Sequence, residues 1–264
     1  MNIDIAFSSC PNDTFIFHAL IHGLIDTGGY TFTPHMADVE ELNTRAFGRT
    51  HAVTKLSFCA YLGLKDRYTL LDSGSALGFG CGPLLVAGET FETLESARIA
   101  SPGKYTTAFL LFRLWHKGAS NVEFVRFDKI LPGIASGSFD AGLVIHEGRF
   151  VLPSYRCTQI VDLGWWWETQ TGLPIPLGCI AIRNDLLGHK DALEKLIRDS
   201  LLHARNHPED SRDFIRSHAR EMDDAVIQEQ IRLYVNEFSL SLGHQGMEAV
   251  RTLEERASCH RIIR

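Results

Sequence analysis

Ile3, Ile5 and Phe7 alternate with Asn2, Asp4 and Ala6, the period-two pattern of a strand. A polar turn, Ser8 to Asp13, follows, with Asn12 or Asp13 placed to cap a helix. Phe17, Leu20, Ile21 and Leu24 then fall at i, i+3, i+4 and i+7, which predicts an amphipathic helix. Alternation returns at Tyr30, Phe32, Pro34 and Met36. Asp38 and Glu41 make a D-x-x-E helix start related to the capping box, and Val39, Leu42 and Ala46 carry the next helical stripe. Apolar runs near 52–58, 83–87, 97–100, 121–125, 140–145, 158–163 and 178–183 predict seven more strands. Between them, Ala108, Leu111, Phe112 and Trp115 predict a helix, and 128–137 a short one, with Pro132 either breaking it or lying in its first turn. Beyond residue 183 the pattern is helical: Leu193, Leu196, Ile197 and Leu201, then Ile227, Ile231, Tyr234 and Phe238, then Met247, Val250 and Leu253. Strands alternating with helices make this an α/β chain.

Three strand ends carry candidate chemistry. The run Asp140–Ile145 changes abruptly to His146, Glu147 and Gly148. Ligands of open α/β sheets gather outside the carboxyl ends of strands, where a histidine can exchange protons near neutral pH; a surface turn or a satisfied core histidine would look the same. Lys55 and Ser57 interrupt another run near its end and could hold a carboxylate, or the lysine stem could simply pack. Thr106 and Thr107 precede a helix, where hydroxyls and unpaired N–H groups can bind an anion or merely cap.

Other segments narrow the function. The glycine-rich stretch Ser73–Pro83 lacks the Gly-Lys-Ser/Thr of a phosphate loop and leads into a strand rather than a helix, so close backbone approach explains it better than nucleotide binding. His18 and His22 have zinc-ligand spacing, but Ala19 stands where a metalloprotease has glutamate; no metal is expected. Trp165, Trp166 and Trp167 could wall an aromatic ligand, or pack as core. The chain has 264 residues, 45% hydrophobic and 22% charged, with a net charge of −6. This is ordinary globular composition for one to two domains, and it disfavours a broad nucleic-acid surface. No run is long and apolar enough for a membrane helix, and the N-terminus lacks the pattern of a secretory leader, so a cytoplasmic protein is expected. Six scattered cysteines without a CxxC pair read as reduced thiols, mostly buried.

With those segments in hand, the sequence resembles a known family. Ser9–Phe15, Thr54-Lys55-Leu56-Ser57, Pro102–Ala108, Ile145–Phe150, Val161–Gly164, Thr171–Pro174 and Tyr234-Val235-Asn236 look like the 1,4-dihydroxy-6-naphthoate synthases of the futalosine route to menaquinone. The likeness runs in order from about residue 3 to about residue 250, departing at Ser9 (where proline is expected) and Gly148 (where serine is expected). It implies an α/β fold of the type II periplasmic-binding-protein-like kind, with two lobes around a central cleft: residues 1–88 with 177–264, and residues 89–176, joined by hinge crossings near Ala87 and Pro176. It also implies a carbon–carbon lyase without metal or organic cofactor. That enzyme would convert cyclic dehypoxanthine futalosine, a small aromatic carboxylate, to 1,4-dihydroxy-6-naphthoate and dihydroxyacetone. His146 matches the family's proton acceptor, and Lys55, Leu56, Ser57, Thr106 and Thr107 match its substrate-binding segments. The alternatives are a solute-binding protein of the same fold, which a leader sequence would favour, and a related menaquinone enzyme such as chorismate dehydratase.

Overall fold

The structure, a computed structural model, describes residues 1–89, 91–118, 121–219 and 223–259. Two sheets face one another across a cleft. The first contains β1 (Asn2–Phe7), β2 (Thr31–Met36), β3 (Val53–Ser57), β4 (Tyr68–Leu70), β5 (Ala76–Gly78) and β11 (Ile175–Arg183), in the order β2-β1-β3-β11-β4, with β5 also paired to β11. The second contains β6 (Leu84–Ala87), β7 (Arg98–Ser101), β8 (Asn121–Phe124), β9 (Ala141–Val144) and β10 (Thr158–Asp162), in the order β10-β6-β9-β7-β8. The second sheet is therefore continuous in sequence. The first takes β11 back between β3 and β4 after the second is complete.

Each sheet mixes parallel and antiparallel pairs. β1 runs parallel to β2 and β3, and β11 returns antiparallel to β3, β4 and β5. β2 is an exposed edge strand, which is why Pro34 is tolerated within it. β3 is buried along its whole length. The register pairs Gly178 of β11 with Ser57, and Ile180 with Lys55, fixing two candidate site residues against a central strand.

The helices are α1 (Pro11–Ile21), α2 (Val39–Phe47), α3 (Phe58–Leu62), α4 (Thr107–Trp115), α5 (Ile130–Ala135), α6 (Leu163–Thr171), α7 (Lys190–Asn206), α8 (Arg212–His218), α9 (Asp224–Tyr234), α10 (Glu237–Leu240) and α11 (Gly243–Cys259). α1 differs from the amphipathic helix its spacing predicts: every residue from Pro11 to Leu20 is buried, because α7, α8 and α9 pack around it. Its N-cap is Cys10, with no side-chain cap, rather than Asn12 or Asp13; Pro11 supplies the helical φ at the first position. Pro132 lies in the first turn of α5. Trp165, Trp166 and Trp167 all fall on α6. Trp167 is fully buried and donates to the Pro174 carbonyl at 3.1 Å, while Trp165 is 65% exposed, and none of the three walls the cleft.

One apolar cluster joins both sheets. It includes Leu56, Cys179 and Ala181 of the first sheet, Leu85, Ile99 and Leu143 of the second, Leu111 of α4, and Leu253 of α11. The glycine-rich segment shows why it needs glycine: a Cβ on Gly82 would lie 2.2 Å from the Gly164 Cα, so two backbones touch where the chain crosses between sheets. All six cysteines are free thiols, four of them buried. No helix among the described residues is long and apolar enough to cross a membrane.

Candidate active site

Strand ends converge on a cavity of about 650 Å³, open at its mouth. β1 leads into Ser8, β3 ends at Ser57, and β9 leads into His146. The first turns of α1 and α4 contribute Asn12, Asp13, Thr107 and Ala108, while Leu177, Gly178 and Tyr234 complete the wall. The cleft thus brings together Lys55, Ser57, Thr106, Thr107 and His146. Leu56 is the exception. Alternation along β3 turns its side chain into the apolar cluster, fully buried, so any part it plays at the cleft is through its main chain.

His146 sits just past β9 with a left-handed backbone, φ 57°. Such a conformation is uncommon outside glycine and asparagine and marks a constrained residue. Its ring stands edge-on to Phe127, with centroids 5.0 Å apart. Nδ1 lies 3.5 Å from the Cys10 Sγ. Nε2 is shut off from bulk water and has no hydrogen-bond partner among the described residues. Burial pulls the imidazole down to a pKa of about 4; the Asp13 carboxylate opposes this and the Lys55 ammonium adds to it. At neutral pH the ring is therefore uncharged, the form that can take a proton.

Behind His146 lies a buried ion pair. The Lys55 Nζ donates to Asp13 Oδ1 at 2.6 Å, with side chains 6% and 1% exposed. Asp13 also accepts from the Ser8 N–H at 3.1 Å, the Ser8 hydroxyl at 2.7 Å and the Asn12 amide at 2.9 Å. Four donors on one carboxylate meet the requirement that a buried charge be paired and hydrogen-bonded. Lys55, which could from sequence either hold a carboxylate or pack its stem, has its ammonium paired with Asp13 in the floor of the cavity.

The threonine hydroxyls are similarly committed. Thr106 caps α4, accepting from the Phe109 N–H at 3.3 Å and donating to the Gly103 carbonyl at 2.8 Å. The Thr107 hydroxyl accepts from the Cys59 N–H at 3.2 Å and donates to the Leu177 carbonyl at 2.8 Å, tying α4 to the opposite sheet. What α4 offers the cavity is its first N–H groups, those of Thr107 and Ala108, which precede any intrahelical acceptor and sit at the positive end of the helix dipole. Opposite them is Ser57. Its N–H donates to Asn43 Oδ1 at 2.8 Å, and its hydroxyl accepts from Asn43 Nδ2 at 3.0 Å, leaving the hydroxyl proton available. Asn43 also reaches Glu40, which accepts from the Tyr105 N–H at 3.0 Å. α2 thereby links both banks of the cleft.

Sequence reasoning read Asn12 or Asp13 as a cap and the Ser8–Asp13 turn as at most a weak anion site; it placed Cys10, Asn12, Asp13 and Tyr234 in family-like segments without a site role, and it passed over Asn43. Ser8 through Asp13 sits beyond a strand end, the same signal that drew attention to His146, but nothing in its spacing reveals that Asp13 faces Lys55.

A family described as menaquinone biosynthesis matches residues 3–259. The chain is similar to a protein named 1,4-dihydroxy-6-naphthoate synthase from Thermus thermophilus, 48% identical over 94% of this chain and 91% of that one. Another protein of that name, from Streptomyces coelicolor, is 40% identical over 99% of this chain and 94% of that one. A crystal structure of a protein from Archaeoglobus fulgidus superposes with a TM-score of 0.94 at 32% identity, covering 99% and 98% of the two chains. The alkanesulfonate-binding protein of Xanthomonas axonopodis pv. citri, bound to MOPS, superposes at 0.73 with 13% identity, covering 100% of this chain and 94% of that one. At that identity the likeness shows the periplasmic-binding-protein-like fold alone. Matched from end to end by the family and by two relatives of one name, the chain belongs to the menaquinone biosynthesis family.

Proposed function

We propose that this protein is the carbon–carbon lyase that converts cyclic dehypoxanthine futalosine to 1,4-dihydroxy-6-naphthoate and dihydroxyacetone in the cytoplasm, with His146 as general base. The observation that carries the role of His146 is its uncharged ring, whose Nε2 is unpartnered in the wall of the cavity. The name shared by the two relatives, 1,4-dihydroxy-6-naphthoate synthase, supports the product. Nε2 takes a hydroxyl proton from the sugar-derived ring, and the oxyanion collapses to a carbonyl as the C–C bond breaks. The electron pair released enters the six-membered ring, whose aromatisation drives the three-carbon fragment away. The proton count balances without an oxidant, since the two products together have the composition of the substrate. Ser57 and the first N–H groups of α4 supply donors for the aromatic carboxylate. Lys55 acts through Asp13, keeping a net neutral floor beneath the base. Leu56 contributes backbone, and Thr106 and Thr107 hold the helix end in place.

The test is turnover. Purified protein incubated with cyclic dehypoxanthine futalosine should release naphthoate, followed by chromatography, whereas chorismate should be left unchanged. His146→Gln should fold and bind but lose about 10²–10⁴-fold in kcat, the usual worth of a general base. Folded protein that binds substrate and yields no product would leave a solute-binding protein as the better account.

A further inference from the structure

We infer that Cys10 is a positioning residue for His146: its sulfur accepts a hydrogen bond from the imidazole Nδ1–H and so leaves Nε2 without a proton. The inference rests on the proposed role of His146, and it adds a chain of hydrogen bonds that fixes which nitrogen carries the proton.

The direction of the chain is set from its far end. Asp13 is held as a carboxylate by Lys55 at 2.6 Å, by the Asn12 amide and by the Ser8 N–H, and an ionised carboxylate can only accept. The Ser8 hydroxyl, 2.7 Å away, must therefore donate to Asp13. Its one proton is then used, and it accepts from the Cys10 N–H at 3.3 Å. Burial and the nearby carboxylates of Glu147, Asp13 and Asp38 hold the Cys10 thiol protonated. A proton on the His146 Nε2 would be a buried donor with no partner among the described residues, a costly arrangement, whereas a proton on Nδ1 has the Cys10 sulfur beside it. The sulfur is left as the acceptor for the ring nitrogen 3.5 Å away. An imidazole that donates from Nδ1 is unprotonated at Nε2. When Nε2 takes a proton, the charge on the ring is connected through Cys10 and Ser8 to the Asp13 carboxylate. The groups facing the ring are Cys10 and Asp13 from α1, Lys55 from β3 and Phe127, with Glu147 adjacent in sequence.

The tautomer can be read without substrate. Long-range 1H–15N correlation at pH 7, with the His146 signals assigned by their loss in His146→Gln, should show the Nδ1–H form in the parent protein. Cys10→Ser keeps an acceptor and a proton to pass on, and should keep that form. Cys10→Ala removes the acceptor, and Ser8→Ala removes the hydroxyl that holds the Cys10 N–H and so frees the sulfur to leave Nδ1. Both should move the ring toward Nε2–H and lower kcat by about 10- to 100-fold, part of the span of general-base catalysis, with KM within about twofold. Cys10→Ser should recover most of the rate. An Nε2–H ring in the parent, or an unchanged tautomer in both alanine variants, would overturn the inference; should Cys10→Ala fail to fold, Ser8→Ala decides. Normal turnover by His146→Gln would overturn the general-base reading instead, and the tautomer measurement would stand apart from it.

Discussion

Removing the Asp13 charge perturbs the floor of the cleft at its most connected atom. Asp13→Asn keeps the shape of the side chain but takes the counter-charge from an ammonium 2.6 Å away whose side chain is 6% exposed. It also places an NH₂ group among four donors. Breaking a buried pair from one side costs about 3–5 kcal/mol, because the remaining charge is uncompensated. Against the roughly 5–15 kcal/mol that stabilises a typical domain, that is about a fifth or more of the total. Urea unfolding followed by fluorescence of the buried Trp167 reads the loss as a lower midpoint. Lys55→Met in the Asp13→Asn background should restore much of the loss, since it removes the orphaned charge. A cost below about 1 kcal/mol, or a double variant no more stable than Asp13→Asn, would refute the reasoning that the pair is buried and interdependent.

Two further outcomes follow from the same geometry. Thr107→Val removes the hydroxyl that joins the Cys59 N–H to the Leu177 carbonyl. Leaving both unpaired should cost about 2–6 kcal/mol, at the roughly 1–3 kcal/mol expected for each, and a change under about 0.5 kcal/mol in urea unfolding would contradict that bridge. Gly82→Ala would force a methyl to within 2.2 Å of the Gly164 backbone. A poorly soluble or strongly destabilised variant is expected, and a melting temperature equal to the parent's would show that this contact yields easily.

The fold was largely legible because burial imposes a period. β1, β3 and β9 announced themselves by alternation or by unbroken apolar runs. β4 and β5 did not, since strands of three residues are too short to show a period. α1 misled for the opposite reason: its stripe is real, but helices pack on its other side too. The candidate site was readable as far as strand ends go, and His146, Lys55 and Ser57 stood out as polar groups terminating apolar runs. Their partners were hidden. That Lys55 is neutralised by Asp13, and that the Thr107 hydroxyl is spent on the other sheet, depends on contacts between residues 42 and 70 positions apart, which no local pattern encodes.

The late arrival of β11 has a consequence for how the molecule comes into being. Residues 84–162 contain all the strands of the second sheet, whereas β3 and β4 have no central neighbour until Ile175–Arg183 has left the ribosome. The first sheet can thus be completed only after the second has been made, with β3 and β4 waiting for a partner made more than a hundred residues later. During that interval the apolar edge of β3 is unpaired, so the growing chain, rather than the finished protein, is where aggregation and chaperone binding should concentrate.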